Sequence, residues 1–326
     1  MLFKAGKDKH IFFEVTQLPT YSFTQCDVFT TQAFGGNPLA VFPEGDGVDD
    51  VMMQAVAREM NLSETVFVLP PTDPAKALRQ LRIFTPSTEL PMAGHPVVGT
   101  WMVLAKSGVV APPASGDGIV TIHQELKVGI LPVAIEFAAG QPVKVVMTQP
   151  APKIAMPLNI TDSVARSLSL SIDQIGFDQL PIVYATTGVP YLMVPLRSRD
   201  ALSKIVINSS ALSDLLLQTM ASGIYAFTPE PHSPRALVST RMFSDATLGI
   251  SEDPATGSAA GPLAATLVHF GFVPTVNHLA RFIIEQGVDM GRASYIEAEV
   301  EGQQGAVQVV RIGGTAVTVA KGEMFW

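Results

Sequence analysis

Arg82-Ile83-Phe84-Thr85 recurs as Arg241-Met242-Phe243-Ser244, and His95-Pro96-Val97-Val98-Gly99-Thr100 recurs as Asp253-Pro254-Ala255-Thr256-Gly257-Ser258, with one residue of gap between the two alignments. The period is about 159 residues, far too long for a solenoid and right for two lobes built from one duplicated unit. A chain of 326 residues suits that division, because it is too long for one ordinary core. A boundary near Gln149-Pro150-Ala151-Pro152 gives one lobe over residues 21–149 and another over 150–326, with residues 1–20 as an N-terminal extension. This division leaves open a return of the C-terminal strand to the first lobe.

Around the first copy, Ser22 to Phe29 reads as a strand, Phe34-Gly35-Gly36-Asn37-Pro38 as an irregular turn, and Leu39 to Phe42 as the returning strand. Asp49 and Asp50 stand where a helix N-cap belongs, Val51, Met52, Ala55, Val56 and Met60 follow at helical spacing, and Asn61 is the stop. Val66 to Leu69 is a short apolar strand closed by Pro70-Pro71. Glu64 therefore lies at a helix-to-strand junction, where a side chain can face a cleft. Leu81 to Phe84 predicts a strand, and Val97 to Ala105 a helix that follows Ala93-Gly94-His95-Pro96. Gly108 to Gly118 reads as a loop, and Ile119 to Phe137 and Val143 to Thr148 as sheet strands. In the second half the pattern predicts helices around Asp162 to Leu170 and Ser209 to Thr219, and a strand around Ile182 to Ala185.

The composition, 47% apolar and 15% charged, is that of a globular enzyme-like chain. A net charge of -8 argues against nucleic acid, whose binding is driven by clustered Lys and Arg. The most apolar stretch, Pro181 to Leu196, is broken by Thr187, Gly188 and Pro190, so no membrane span is expected. Lys4, Lys7, Asp8, Lys9 and Glu14 interrupt the N-terminus where a signal peptide needs a continuous apolar centre, and a cytoplasmic protein is expected. Cys26 is the single cysteine and can form neither an internal disulfide nor a Cys-rich metal site. Neither GxGxxG after the first strand, nor GxxxxGK[ST], GxSxG or HExxH is present, and no cofactor or metal is expected.

Helix starts at Gly94-His95 and at Thr256-Gly257-Ser258 offer backbone N–H groups and a positive dipole end, each a site for a carboxylate. Two such starts facing each other would hold a carbon acid and stabilise an enolate-like intermediate. By pattern alone the same residues also read as ordinary caps. Glu64, set before an apolar strand, is a candidate general acid/base whose burial would bring its pKa toward the working pH, although a surface glutamate fits the same pattern. His95 could shuttle or donate a proton and Asp253 could orient it or bind a substrate amine or hydroxyl; a structural histidine is the plainer alternative.

Taken in order, Asp27-Val28-Phe29-Thr30, Phe34-Gly35-Gly36-Asn37-Pro38-Leu39-Ala40-Val41, Asn61-Leu62-Ser63-Glu64-Thr65, Ala93-Gly94-His95-Pro96 and Glu252-Asp253-Pro254-Ala255-Thr256-Gly257-Ser258 resemble the PhzF-like family of phenazine biosynthesis. Gln286-Gly287, Gly291-Arg292-Ala293-Ser294 and Gly313-Gly314-Thr315-Ala316-Val317 resemble its C-terminal motifs. The resemblance implies an α+β fold of the diaminopimelate-epimerase type: two pseudo-symmetric lobes, each a mixed curled sheet around a central helix, with the active site between them. It implies a cofactor-independent isomerase, similar to trans-2,3-dihydro-3-hydroxyanthranilate isomerase, that shifts a proton on a small carboxylated metabolite. It places the acid/base on Glu64, with His95, Asp253 and Ser258 lining the pocket, and implies a homodimer. An epimerase or racemase using Glu64 with His95 or Asp253, and a non-catalytic metabolite-binding protein, are the alternatives. Related epimerases use two cysteines, whose places here hold Ala93 and, anchored on Thr256-Gly257, Pro254; a two-thiol mechanism is excluded by residue chemistry.

Overall fold

Two helices without a polar face organise the chain: Gly94–Lys106 and Gly257–His269 bury every residue but their last. A helix apolar on all sides must be enclosed, and the strands of each half curl around one of them. The computed structural model describes residues 19–177, 180–245 and 251–326. The expected extension lies outside the described residues up to residue 18.

In chain order the first half runs β1 (Thr20–Val28), β2 (Asn37–Phe42), α1 (Asp50–Met60), β3 (Glu64–Leu69), β4 (Arg79–Phe84), β5 (Glu89–Leu90), α2 (Gly94–Lys106), β6 (Gly118–Leu126), β7 (Gly129–Ala138) and β8 (Gln141–Thr148). The second runs β9 (Lys153–Ile154), α3 (Thr161–Leu168), β10 (Val183–Thr186), β11 (Pro190–Pro195), α4 (Arg199–Ser203), α5 (Ser209–Thr219), β12 (Gly223–Thr228), β13 (Val238–Ser244), β14 (Glu252–Asp253), α6 (Gly257–His269), β15 (Leu279–Gln286), β16 (Ser294–Gln303), β17 (Ala306–Gly314) and β18 (Ala316–Phe325). Among the described residues no helix is long and apolar enough to cross a membrane.

The duplication is visible in pairing and in side chains. β2 runs parallel to β3 and β4 to β6; in the second half β11 runs parallel to β12 and β13 to β15. Arg82 binds Glu89 at 2.8 Å and lies 5.2 Å over the Phe84 ring, while Arg241 binds Glu252 at 2.7 Å and lies 4.8 Å over Phe243. Glu125 accepts the Thr72 N–H at 2.7 Å, and Glu285 accepts those of His232 and Ser233 at 2.8 and 2.9 Å, so each carboxylate ties down a loop after β3 or β12.

The second match of the sequence repeat is corrected by these pairings. Ile83 faces Leu90 in β4 and β5, and Met242 faces Asp253 in β13 and β14. The counterpart of Asp253 is thus Leu90, not His95, and the counterpart of Gly257 is Gly94. The link between β13 and β14 is longer than that between β4 and β5, so the offset grows along the chain and the His-Pro and Asp-Pro strings match in composition only. By the same equivalence α1 and β3 correspond to α5 and β12. Both helices end in a left-handed residue, Asn61 (φ 49°) and Met220 (φ 53°), and the position of Glu64 is occupied in the second half by Gly223.

Strand β18 pairs antiparallel with β1, and β8 pairs with β17, so two strand ladders join the halves. Most apolar side chains share one large core around α2 and α6. A smaller cluster under α1, with Phe42, Met53, Val56 and Phe67, is closed by Trp326, whose ring stacks on Tyr21 at 4.3 Å. Element ends differ modestly from the sequence reading. The first strand begins at Thr20, the helix read from Val97 begins at Gly94, Glu64 is itself the first residue of β3, and Ile119 to Phe137 is the hairpin of β6 and β7.

Candidate active site

Asn61 takes the left-handed conformation, donates its N–H to the Ala57 carbonyl, and turns the chain so that β3 opens with Glu64. Leu39 pairs beside it in β2, and Glu64 is 8% exposed, a carboxylate set in the rim of an apolar sheet. The N-caps of α2 and α6, Ala93 and Thr256, give no side-chain cap, which leaves the first N–H groups of both helices free of that partner. Pro96, in the first turn of α2, has no N–H to satisfy there. The two helix starts abut: a Cβ on Gly94 would lie 2.7 Å from the Gly257 Cα, and one on Gly257 3.0 Å from the Gly94 Cα. Only glycine at both positions permits this approach.

The polar groups interlock between the halves. His95 Nε2 pairs with Glu64 Oε2 at 2.9 Å, and neither atom has a partner besides. His95 Nδ1 lies 3.1 Å from the amide nitrogen of Asn37. That amide donates to Asp253 Oδ1 and to the Ala255 carbonyl, both at 2.8 Å. Ser63 donates to Asp253 Oδ1 at 3.1 Å and the Thr256 hydroxyl donates to Oδ2, while Gln286 donates to the Asp253 carbonyl at 2.7 Å. The hydroxyls of Ser258 and Tyr191 are 3.0 Å apart.

Burial, and then the Glu64 charge, push the Asp253 carboxyl up to about 6 against the pull of His95, Thr256 and Asn37. Burial works against an imidazolium at His95, but the charge of Glu64, its hydrogen bond and the charge of Asp253 outweigh it and hold the ring above its ordinary value. Burial keeps the Tyr191 phenol neutral. Cys26 is buried in β1 and its thiol is pushed up to about 12, first by burial and then by Asp27, so it is an inert core residue.

Glu64, His95, Tyr191, Asp253, Thr256 and Ser258 border a cavity of about 400 Å³, a size suited to a small metabolite. Glu64, His95, Asp253, Gly94, Gly257 and Ser258, the residues read from the sequence, all line it. Apolar walls come from Leu90, Met92, Val189, Pro190 and Met242, and among the described lining residues there is no Lys or Arg. An anion in this cavity would be met by backbone N–H groups at the helix starts. A surface groove of about 470 Å³ is richer in cations, but its Lys144, Arg281 and Arg311 are bound to Glu297 and Glu299. Among the described residues no group of three or more His, Cys, Asp and Glu could hold a metal ion.

Asn37, Ser63 and Tyr191 were not singled out by sequence. Asn37 sits in the Gly-Gly-Asn-Pro turn, whose glycines drew attention to backbone shape and not to the side chain beside them. The N-cap equivalence also moves the second cysteine-type position. It is Thr256, the counterpart of Ala93, and not Pro254; neither side chain is a thiol.

A family model described as phenazine biosynthesis-like protein matches residues 26–322. An uncharacterized isomerase of Mesorhizobium japonicum is 36% identical over 314 residues, covering 94% of this chain and all of that protein. The trans-2,3-dihydro-3-hydroxyanthranilate isomerase of Pseudomonas fluorescens is 34% identical over 302 residues, covering 93% of this chain and 98% of the relative. The crystal structure of a PhzF-family phenazine biosynthesis protein from Bacillus anthracis superposes with a TM-score of 0.84 at 28% identity, over 95% of this chain and all of that one.

Proposed function

The chain belongs to the phenazine biosynthesis-like family of isomerases, and from that premise we propose that it shifts a proton on a small carboxylated, unsaturated metabolite with Glu64 as general acid/base. The chemistry resembles that named for the Pseudomonas fluorescens relative. One observation carries the reading: of the two carboxylates buried in the cavity, Asp253 is engaged by Asn37, Ser63 and Thr256, while Glu64 Oε2 faces only His95 and the position equivalent to Glu64 in the other half is Gly223. A single base on one side suits a proton that leaves and returns on one face.

Glu64 takes the proton from an activated C–H, forming O–H as the electron pair enters the delocalised system. The N–H groups at Gly94 and Gly257 hold the substrate carboxylate and the developing charge by fixed dipoles. The same carboxyl then delivers the proton to another carbon, and the double bond moves. His95 and Asp253 line the reacting region and tune Glu64, and Ser258 binds substrate. A cytoplasmic homodimer completes the proposal, with light scattering and cell fractionation as its checks.

Glu64→Gln keeps the shape and loses the transferable proton. Turnover is expected to fall by about 10²- to 10⁴-fold with ligand binding retained. Activity within about tenfold of the parent would remove Glu64 from the role. Delivery of label to the opposite face of the product would replace one-base transfer by Glu64 working with His95 or Asp253.

A further inference from the structure

We infer that Asn37 is a positioning residue that fixes the proton of His95 on Nε2 and so insulates Glu64 from Asp253. The inference takes Glu64 as the acid/base, as proposed above. Asn37 is fully buried at the start of β2 and reaches from the first half into the second. Its turn is clamped. Arg292 donates to the carbonyls of Gly35 and Gly36, both at 2.8 Å, and pairs with Asp27 at 2.6 Å, whose other oxygen accepts the Phe34 N–H. Gly36 has φ +59°, and a Cβ there would lie 2.2 Å from the Val28 carbonyl oxygen, so the turn admits no larger residue.

The amide has one chemically permitted orientation. A backbone carbonyl can only accept, and the nitrogen of Asn37 is 2.8 Å from that of Ala255 and 2.8 Å from a carboxylate oxygen of Asp253. Turning the amide over would press its oxygen against both. The Asn37 nitrogen's two hydrogens go to Asp253 and Ala255, so it offers His95 Nδ1, 3.1 Å away, at most a shared hydrogen and no lone pair, and a proton on Nδ1 would find no acceptor there. The ring is buried, so bulk water offers no alternative partner. Its proton belongs on Nε2, 2.9 Å from Glu64.

The charges facing the ring compete with this arrangement. Glu64 and Asp253 both draw a second proton to His95, and Asn37 gives it nowhere to sit. Passage of a proton from Glu64 through the ring to Asp253 requires exchange at Nδ1, where the neighbouring atom carries only amide hydrogens. Glu64 remains the sole proton carrier, and His95 serves it as a neutral donor that supports the carboxylate.

The test is ¹⁵N NMR of the full-length protein labelled at histidine, near neutral pH, with the His95 signals among the six histidines assigned by their loss in His95→Gln. The expected parent spectrum shows His95 neutral, protonated at Nε2 and bare at Nδ1. Asn37→Asp, which replaces the donor by an acceptor, is expected to protonate Nδ1, lower kcat and increase loss of label from deuterated substrate to water. A parent His95 protonated at Nδ1, or at both nitrogens, overturns the inference, as does an unchanged His95 signal in a folded Asn37→Asp variant. If that variant does not fold, the parent spectrum decides alone. An active Glu64→Gln together with the expected His95 spectrum would remove the acid/base assignment while leaving the placement of the proton intact.

Discussion

At the scale of single residues the site is a set of buried polar groups, some of whose partners come from the opposite half of the sequence. Asp253 is the clearest case. Its carboxylate accepts from Asn37, Ser63 and Thr256, an arrangement that serves the ionised form, while burial and Glu64 lift its pKa to about 6. Protonation puts a hydrogen on an oxygen already engaged by donors. Activity is therefore expected to fall as pH drops through about 6, with an apparent pKa that belongs to the Glu64, His95 and Asp253 cluster as a whole. A pH–rate profile of the parent and of Asp253→Asn checks this: the acidic limb should be present in the first and displaced in the second, and a limb that stays in place would assign it to another group. Glu64 was legible in sequence because a carboxylate directly ahead of an apolar strand is a local pattern. Asn37 was not, because its importance lies in Ala255, Asp253 and His95, all distant in the chain.

At the scale of elements the site depends on two helix starts in contact. Gly94 and Gly257 face each other so closely that a methyl group on either meets backbone, which cannot swing aside as a flexible side chain can. Gly94→Ala is expected to cost at least the roughly 1–3 kcal/mol typical of overpacking and to lower kcat, because parting α2 from α6 moves both sets of N–H groups. Denaturant unfolding and steady-state kinetics on the same preparation read the two effects. A variant with the parent's stability and kcat would show that the contact is not needed. Helix α1 was readable from its caps and spacing and α5 from its pattern, while the Asn208 cap of α5, which accepts the Ala211 N–H, is seen only in the structure. Helix α6 was anticipated only at its start, since it has no amphipathic period and carries Gly261 and Pro262 in its interior. Much of the second half's sheet was unread for a related reason: strands such as β12, buried at every residue, do not alternate.

At the scale of the whole molecule the last strand pairs with the first, β18 with β1. Trp326 stacks on Tyr21 and lies near Phe42, far from the cavity, and seals the smaller core. Trp326→Ala is expected to cost about 1–3 kcal/mol in unfolding free energy with kcat unchanged, the opposite pattern to a site substitution. Thermal unfolding with a parallel activity assay checks it, and a loss of kcat in a stable variant would tie the terminus to catalysis. The sequence by itself pointed to a duplicated plan and to the acidic candidate at Glu64, and its single cysteine excludes a pair of thiols. These follow from short-range order, since motifs, caps and strings of residues are local chemistry. Tertiary structure alone decided that Asp253 answers to Leu90 and Gly257 to Gly94, that Gly223 leaves the second half without a counterpart of Glu64, and that Asn37 stands between His95 and Asp253. Those relations depend on strand register and on the packing of one helix start against another, which a chain acquires only when residues distant in sequence are buried together.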